Sequence, residues 1–217
     1  MSSFAAQRLN MIESQLRSSD VSDPRIIAAM SEIARENFLP AERRALAYAE
    51  LAVEVAPRRY LLDPRTFAKL AALAEVEDTD RVLDVGPATG YSSAVLSRLA
   101  QSVVALEEDA GLVAFAQGAL ASAGAQRVRL VRGPHAQGAQ SEGPFDVIFL
   151  NGAVAEPPKT LLGQLAEGGR LVAPICTGAD GKAWRFVREE GHFGGVVGFD
   201  ASAPELVGFQ NTVGFVF

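Results

Sequence analysis

Apolar residues follow two spacings along this chain, one typical of helices and one typical of strands. Near the start, apolar residues recur at helical spacing among polar ones, which predicts an amphipathic helix. These residues are Phe4, Leu9, Ile12 and Leu16. A short helical stretch is predicted after Pro40, and an extended segment is predicted over residues 51–55.

Two Asp-Pro pairs predict the starts of further helices. Asp23 with Pro24, and Asp63 with Pro64, each place a helix N-cap before a proline suited to the first helical turn. Apolar residues at helical spacing follow both pairs. The region before residue 80 is therefore expected to be mainly helical.

Short apolar runs alternate with helical stretches from residue 82 onward, which indicates βαβ units and a mostly parallel sheet. The predicted parallel strands cover residues 82–85, 103–106, 128–131, 147–150 and 170–174. Three later runs predict antiparallel strands at one edge, over residues 182–188, 194–199 and 212–217. We predict one α/β domain with a helical extension (1–79), a core (80–175) and C-terminal strands (176–217).

Composition narrows the class of protein. The formal net charge of −6 argues against a nucleic-acid partner, which requires clustered Lys and Arg. No apolar run approaches the roughly 20 residues of a membrane helix. The single cysteine, Cys176, and the absence of a secretory leader pattern predict a reducing, cytoplasmic location. No metal-ligand spacing is present, so no metal is expected, and the oligomeric state is left open.

A glycine turn between a predicted strand and helix is the strongest functional signal. The segment RVLDVGPATGY (residues 81–91) would place free backbone N–H groups at the carboxyl end of a strand, where open α/β sheets bind ligands. Glu107 ends the next predicted strand, at a distance that suits an acid binding ribose hydroxyls. The candidate binding residues of the turn are Asp84, Gly86, Pro87, Ala88, Thr89, Gly90 and Tyr91.

A nicotinamide dinucleotide is one candidate ligand for such a turn. It is disfavoured because residues 86–90 lack the middle glycine that lets a pyrophosphate lie against the backbone. The pattern instead resembles motif I of Rossmann-like methyltransferases that use S-adenosylmethionine (SAM). That resemblance implies that the turn faces the methionine part of SAM and that Glu107 holds the ribose.

Three longer segments resemble the protein-L-isoaspartate O-methyltransferase family. They are DPRIIAAMSEIARENFLP (23–40), VLDVGPATGYSSAVLSRLA (82–100) and PFDVIFLNGAVAEPPKTLLGQLAEGGRLVAPI (144–175). The resemblance implies a Rossmann-like fold, SAM as cofactor, and methylation of the α-carboxyl of an isoaspartyl residue in a protein or peptide. Gly133 and Asn151 complete the predicted cofactor-binding set.

The chain departs from the family pattern on both sides of the predicted cofactor. Leu62 stands where the family has a substrate-positioning serine, followed by Asp63, so these two residues are predicted to face an altered acceptor pocket. Pro134 and His135 replace the family residues that read adenine. No catalytic residue is assigned, because an acceptor carboxylate is already anionic at neutral pH.

Several nearby residues have a more ordinary interpretation. His135 is interpreted as a solvated loop residue, with an adenine or substrate contact as the alternative. Arg58 and Arg59 are interpreted as surface residues, with attraction of an anionic substrate as the alternative. The sequence thus predicts a SAM-dependent carboxyl methyltransferase. A noncatalytic SAM-binding or regulatory protein is the alternative, and a nicotinamide-dependent oxidoreductase is a third possibility.

Overall fold

A seven-stranded sheet forms the centre of the computed structural model, which describes residues 3–177 and 180–209. The sheet has the strand order β5-β4-β3-β6-β7-β8-β9. Its first five strands are parallel, and β8 and β9 are antiparallel. The strands are β3 Arg81–Val85, β4 Ser102–Glu107, β5 Val128–Arg132, β6 Phe145–Leu150, β7 Leu165–Thr177, β8 Asp180–Glu189 and β9 His192–Asp200. The predicted α/β fold, with antiparallel strands closing one edge, is confirmed.

Helices precede and flank this sheet. They are α1 Phe4–Met11, α2 Pro24–Glu32, α3 Pro64–Ala74, α4 Tyr91–Leu96, α5 Ala110–Ser122 and α6 Lys159–Leu162. Short 3₁₀ or π turns cover Ile12–Leu16, Arg17–Ser19, Arg35–Phe38, Ala41–Leu46, His135–Gln137 and Gln140–Glu142. The predicted caps are confirmed, because Asp23 accepts from the Arg25 N–H and Asp63 from the Thr66 N–H.

The ends of several elements differ from the predictions. Strand β7 covers Leu165–Thr177 rather than residues 170–174 alone. Helix α4 ends at Leu96, because the following residues form tighter turns in which the Arg98 N–H bonds to the Val95 carbonyl. The predicted strand over residues 212–217 lies outside the described residues. Among the described residues, no helix is long and apolar enough to cross a bilayer.

A hairpin that the sequence did not fully predict lies before α3. Strand β1, Val53–Ala56, pairs antiparallel with β2, Arg59–Leu61. The sequence predicts only the first strand, because three residues that begin with an arginine give no clear period-two pattern. The chain reverses direction at Arg58, whose φ is 58°. This turn carries Arg59 towards the carboxyl edge of the large sheet.

The core occupies both faces of the sheet, and strand alternation assigns each residue to a face. In β3, Val82 packs with the helices that include α3 and α4, whereas Leu83 and Val85 pack on the opposite face. Asp84 therefore points to the same side as Val82, towards helix α4. The alternation of the strand thus places a carboxylate inside the core.

A buried ion pair joins helix α3 to strands β3 and β7. Arg170 of β7 forms a bidentate pair with Asp80, with nitrogen–oxygen distances of 2.6 and 3.2 Å. The same guanidinium donates to the Ala74 carbonyl, at the end of α3, over 2.7 Å. Arg170 is 9% exposed and Asp80 is 6% exposed. One side chain thus fixes where the helical extension meets the sheet.

Replacing this arginine should lower the stability of the fold. Arg170→Met leaves the Asp80 carboxylate buried without its cation, so the free energy of unfolding should fall by about 3–5 kcal/mol. Urea denaturation followed by circular dichroism measures the change. Arg129→Met is the matched control, because the Arg129 side chain is 70% exposed in its pair with Glu142. It should cost less than about 1 kcal/mol. Equal losses in the two variants would contradict this role.

Candidate functional site

The predicted binding residues converge at the carboxyl edge of the sheet. Strand β3 lies between β4 and β6, and all three are parallel, so their carboxyl ends meet at one edge. Val85 pairs with Leu106 on one side and with Leu150 on the other. The residues that follow, Gly86, Glu107 and Asn151, are therefore neighbours. The structure thus brings these three sequence-predicted residues together at one edge of the sheet.

Asp84 is fully buried and is held by neutral donors. Its carboxylate accepts hydrogen bonds from the Ser92 and Ser93 hydroxyls, at 2.7 and 2.5 Å, and from Asn151 Nδ2 at 2.5 Å. Burial raises the pKa of Asp84 to about 6, although these three hydrogen bonds lower it. The nearby charge of Glu107 adds to the rise. Asp84 is thus a carboxylate without a cationic side chain among its hydrogen-bond donors.

The turn after β3 brings backbone N–H groups to Glu107. Ala88 adopts a φ of 53°, which is uncommon for a residue with a Cβ, and its N–H donates to Glu107 Oε2 over 3.0 Å. The turn is closed by Gly90, whose N–H bonds to the Pro87 carbonyl over 2.9 Å. The Thr89 hydroxyl points away from the turn and donates to the Phe38 carbonyl at 2.6 Å. The turn thus supplies one of the hydrogen bonds that the Glu107 carboxylate accepts.

An arginine from the β1–β2 hairpin binds both oxygens of the Glu107 carboxylate. Arg59 Nη1 and Nη2 lie 2.5 and 2.6 Å from the two carboxylate oxygens, in a bidentate pair. The Asp109 N–H donates to the same group over 3.0 Å. Burial opposes ionisation of Glu107, but the adjacent His135 ring, the Arg59 hydrogen bonds and the Arg59 charge lower its pKa to about 2.

Two of the sequence interpretations are wrong. His135 is completely buried rather than solvated, because its ring lies between Glu107 and the chain near Val207. His135 Nδ1 donates to the Val207 carbonyl over 2.9 Å, and Nε2 lies 3.5 Å from Glu107 Oε1. Arg59 is 6% exposed and is no surface residue. Arg58, whose side chain is 59% exposed, does lie at the surface.

Residues 204–208, here called the closing segment, cross the turn and cover the cleft. The Ala153 N–H donates to the Pro204 carbonyl and the Leu206 N–H to the Ala153 carbonyl, each over 2.8 Å. A Cβ placed on Gly86 would lie 2.5 Å from Leu206 Cδ1. One placed on Gly152 would lie 2.9 Å from Leu206 Cβ. Leu206 therefore fills the space that the two glycines leave open.

The predicted acceptor side is also tightly packed. Leu62 is 3% exposed, and its carbonyl accepts from Arg35 Nη2 over 2.7 Å. The Asp63 carboxylate is used to cap α3. A cavity of about 10 Å³ remains between Arg35, Leu61, Leu62, Phe67, Tyr91, Ser92 and Asn151. A small-molecule site typically needs roughly 300 Å³ or more, so this end of the cleft is closed.

In this conformation the groups that are predicted to contact the cofactor are already engaged by other parts of the chain. The Glu107 oxygens that would hold a ribose are bonded to Arg59 and to backbone N–H groups. The surface of Gly86 is covered by Leu206. Gly133 lies behind this region, where its N–H bonds to the Glu107 carbonyl over 3.1 Å. Binding of SAM at these predicted residues would require both Arg59 and the closing segment to move.

Within residues 3–177 and 180–209, no group of three or more His, Cys, Asp or Glu side chains is placed to hold a metal ion. Sequence reasoning missed Arg59 and Leu206 as parts of the site. Their positions depend on the hairpin and the closing segment, and no local pattern predicts either contact.

Comparisons with known proteins agree on one family. The family model of protein-L-isoaspartate(D-aspartate) O-methyltransferase matches residues 6–196. A protein-L-isoaspartate O-methyltransferase from Koribacter versatilis is 36% identical over 175 residues, which cover 81% of this chain and 79% of that protein. One from Methanoregula boonei is 34% identical and covers 85% of this chain and 89% of its own.

Solved structures show the same architecture. One protein-L-isoaspartate O-methyltransferase matches with a TM-score of 0.80 and 27% identity over 92% of this chain, which spans 65% of that structure's chain. A Plasmodium falciparum protein, described as a putative protein-L-isoaspartate O-methyltransferase in complex with S-adenosyl-L-homocysteine, matches with a TM-score of 0.78. It is 19% identical and covers 95% of this chain and 99% of its own, so it supports the fold alone.

The buried Asp84 should give the protein a distinctive pH dependence. Below pH 3.8 the group is protonated in the folded and unfolded states and has no effect. Between 3.8 and about 6 the unfolded chain loses the proton first, so stability should fall as pH rises, by roughly 3 kcal/mol in total. Asp84→Asn should remove this fall, as measured by urea denaturation from pH 4 to 7.

Asp109→Asn is a suitable control for this measurement. Asp109 is exposed and caps α5, where asparagine is an equally good cap. This variant should retain the fall in stability of the unmodified protein between pH 4 and 6. If Asp84→Asn showed the same fall as the control, the assigned shift at Asp84 would be incorrect.

Proposed function

Because the chain belongs to the protein-L-isoaspartate O-methyltransferase family, we propose that it transfers a methyl group from SAM to a carboxylate of a protein or peptide. Family membership assigns SAM as the cofactor and methyl transfer as the chemistry. The observation that carries the proposal is the placement of Asp84, the glycine turn and Glu107 at one edge of the parallel sheet. Such an edge is where open α/β sheets bind their ligands.

This chemistry asks little of the side chains beyond alignment. An acceptor carboxylate is ionised at neutral pH, so no general base is needed to activate it. The main contribution of the protein is to hold the nucleophile in line and to exclude water.

The acceptor pocket is proposed to differ from the family pattern. Leu62 lines the small cavity beside Tyr91 and Asn151, and it presents an alkyl side chain where the family has a hydroxyl. Asp63 is engaged as a helix cap, which supports a structural role for it. In this proposal the acceptor is recognised without the serine contact.

A noncatalytic role is the second candidate, and a specific observation favours it. The Arg59–Glu107 pair and Leu206 occupy positions that a bound cofactor would take. A protein that kept the fold and lost the reaction would tolerate such contacts.

If the enzyme role holds, we place it in cytoplasmic repair of damaged proteins, as the family resemblance implies.

Methyl incorporation distinguishes these roles. The protein would be incubated with methyl-tritiated SAM and either an isoaspartyl peptide or the matching aspartyl peptide, and the base-labile methyl ester would be counted. The enzyme role requires labelling of a carboxylate in at least one substrate, including a protein extract. Absence of label in all of them would favour the noncatalytic role.

Restoring the family hydroxyl should favour the isoaspartyl substrate. Leu62→Ser is expected to raise the rate on the isoaspartyl peptide by about tenfold, since one hydrogen bond to a charged group contributes about 1.5–3 kcal/mol. The tritium assay measures that rate against the aspartyl peptide.

Leu62→Ala separates the hydroxyl from the added space. It opens the same cavity without a hydrogen-bonding group and should raise the rate by less than about twofold. An equal gain in the alanine and serine variants would mean that volume, rather than the hydroxyl, limits the reaction.

A further inference from the structure

Arg59 completes the hydrogen bonding of the Glu107 carboxylate. The guanidinium supplies two hydrogen bonds, and the N–H groups of Ala88 and Asp109 supply two more. Glu107 is completely buried, so no water competes for its oxygens. Two carboxylate oxygens have about four lone-pair sites in total. Ribose hydroxyls therefore have no free acceptor while Arg59 stays in place.

We propose that Arg59 determines the cofactor affinity of this cleft by taking the position of the ribose hydroxyls at Glu107, so that SAM binds only when Arg59 is displaced. This inference rests on the proposed function. A neutral diol replaces a bidentate cation poorly, because charge-assisted hydrogen bonds are roughly twice as strong as neutral ones. The exchange therefore reduces the net affinity for SAM.

The Arg59 contact is connected to the closing segment. The position that a Cβ on Gly86 would take lies 2.5 Å from Leu206 and 3.5 Å from Arg59 Nη2, so both side chains cover the same turn. His135 contacts Glu107 with one ring nitrogen and the Val207 carbonyl with the other. Displacement of Arg59 would therefore loosen the packing of residues 204–208.

The hairpin itself is also tied to the closing segment. Arg58 Nη2 lies 3.4 Å from Glu205 Oε2, next to the residues that cross the cleft. Strands β1 and β2 form a separate two-stranded sheet of four and three residues. A sheet of that size is marginally stable alone. The hairpin and the closing segment are thus suited to move together.

Calorimetric titration with S-adenosylhomocysteine tests the role of Arg59. Arg59→Gln retains a polar side chain and frees part of the Glu107 carboxylate, so its Kd should be at least tenfold lower than that of the unmodified protein. The matched control is Arg65→Gln, which makes the same charge change at an exposed residue of α3. The control should bind as the unmodified protein does, within twofold.

Each result of the titration has a defined meaning. Equal or weaker binding by Arg59→Gln, with clear binding by the unmodified protein, would overturn the inference and leave the proposed function intact. Absence of binding in all proteins at millimolar ligand, together with absence of methyl transfer, would reject the proposed function and the inference with it.

Hydrogen exchange on the unmodified protein tests the inference even if the Arg59→Gln variant fails to fold. With S-adenosylhomocysteine at a concentration that saturates the site, the Leu206 amide, which bonds to the Ala153 carbonyl, should exchange faster. A peptide covering β6, Phe145–Leu150, should not. Unchanged or slower exchange at Leu206 in the saturated protein would show that the ligand enters without displacing the closing segment, which contradicts the inference.

Discussion

The carboxylate of Glu107 is the constraint around which the cleft is built. A fully buried anion is unfavourable unless donors surround it, and a parallel sheet supplies only the backbone N–H groups beyond its strand ends. Here the N–H groups of Ala88 and Asp109 provide part of that requirement. Arg59 provides the remainder from a hairpin 48 residues earlier in the chain. The arrangement is therefore satisfied without any ligand.

Two buried carboxylates lie in this cleft, and their surroundings shift the two pKa values in opposite directions. Glu107 has a cationic partner, and its pKa falls to about 2. Asp84 has hydroxyl and amide donors only, and its pKa rises to about 6. The Glu107 charge adds to that rise, so the two groups are coupled. Of the two, Asp84 is therefore the group that binds a proton more readily.

The sequence predicts the features of the fold that depend on residues close together in the chain. The Asp-Pro caps, the strand alternation and the glycine turn are local signals, and the structure contains all of them. Sequence reasoning fails for His135 and Arg59, because a loop histidine and a pair of arginines are usually solvated, whereas both side chains are buried here. Their burial is decided by the closing segment and by the fold of the hairpin, which no local pattern specifies.

Leu206 shows why an intact glycine turn is not sufficient evidence for an occupied ligand site. Gly86 and Gly152 lack side chains, and this leaves space above the turn that a ligand or another part of the chain can fill. In this structure an apolar side chain fills it and gains burial that a cofactor would have to replace. The same backbone geometry thus serves an open cleft or a closed one. The affinity of the cleft depends on the difference in free energy between the two.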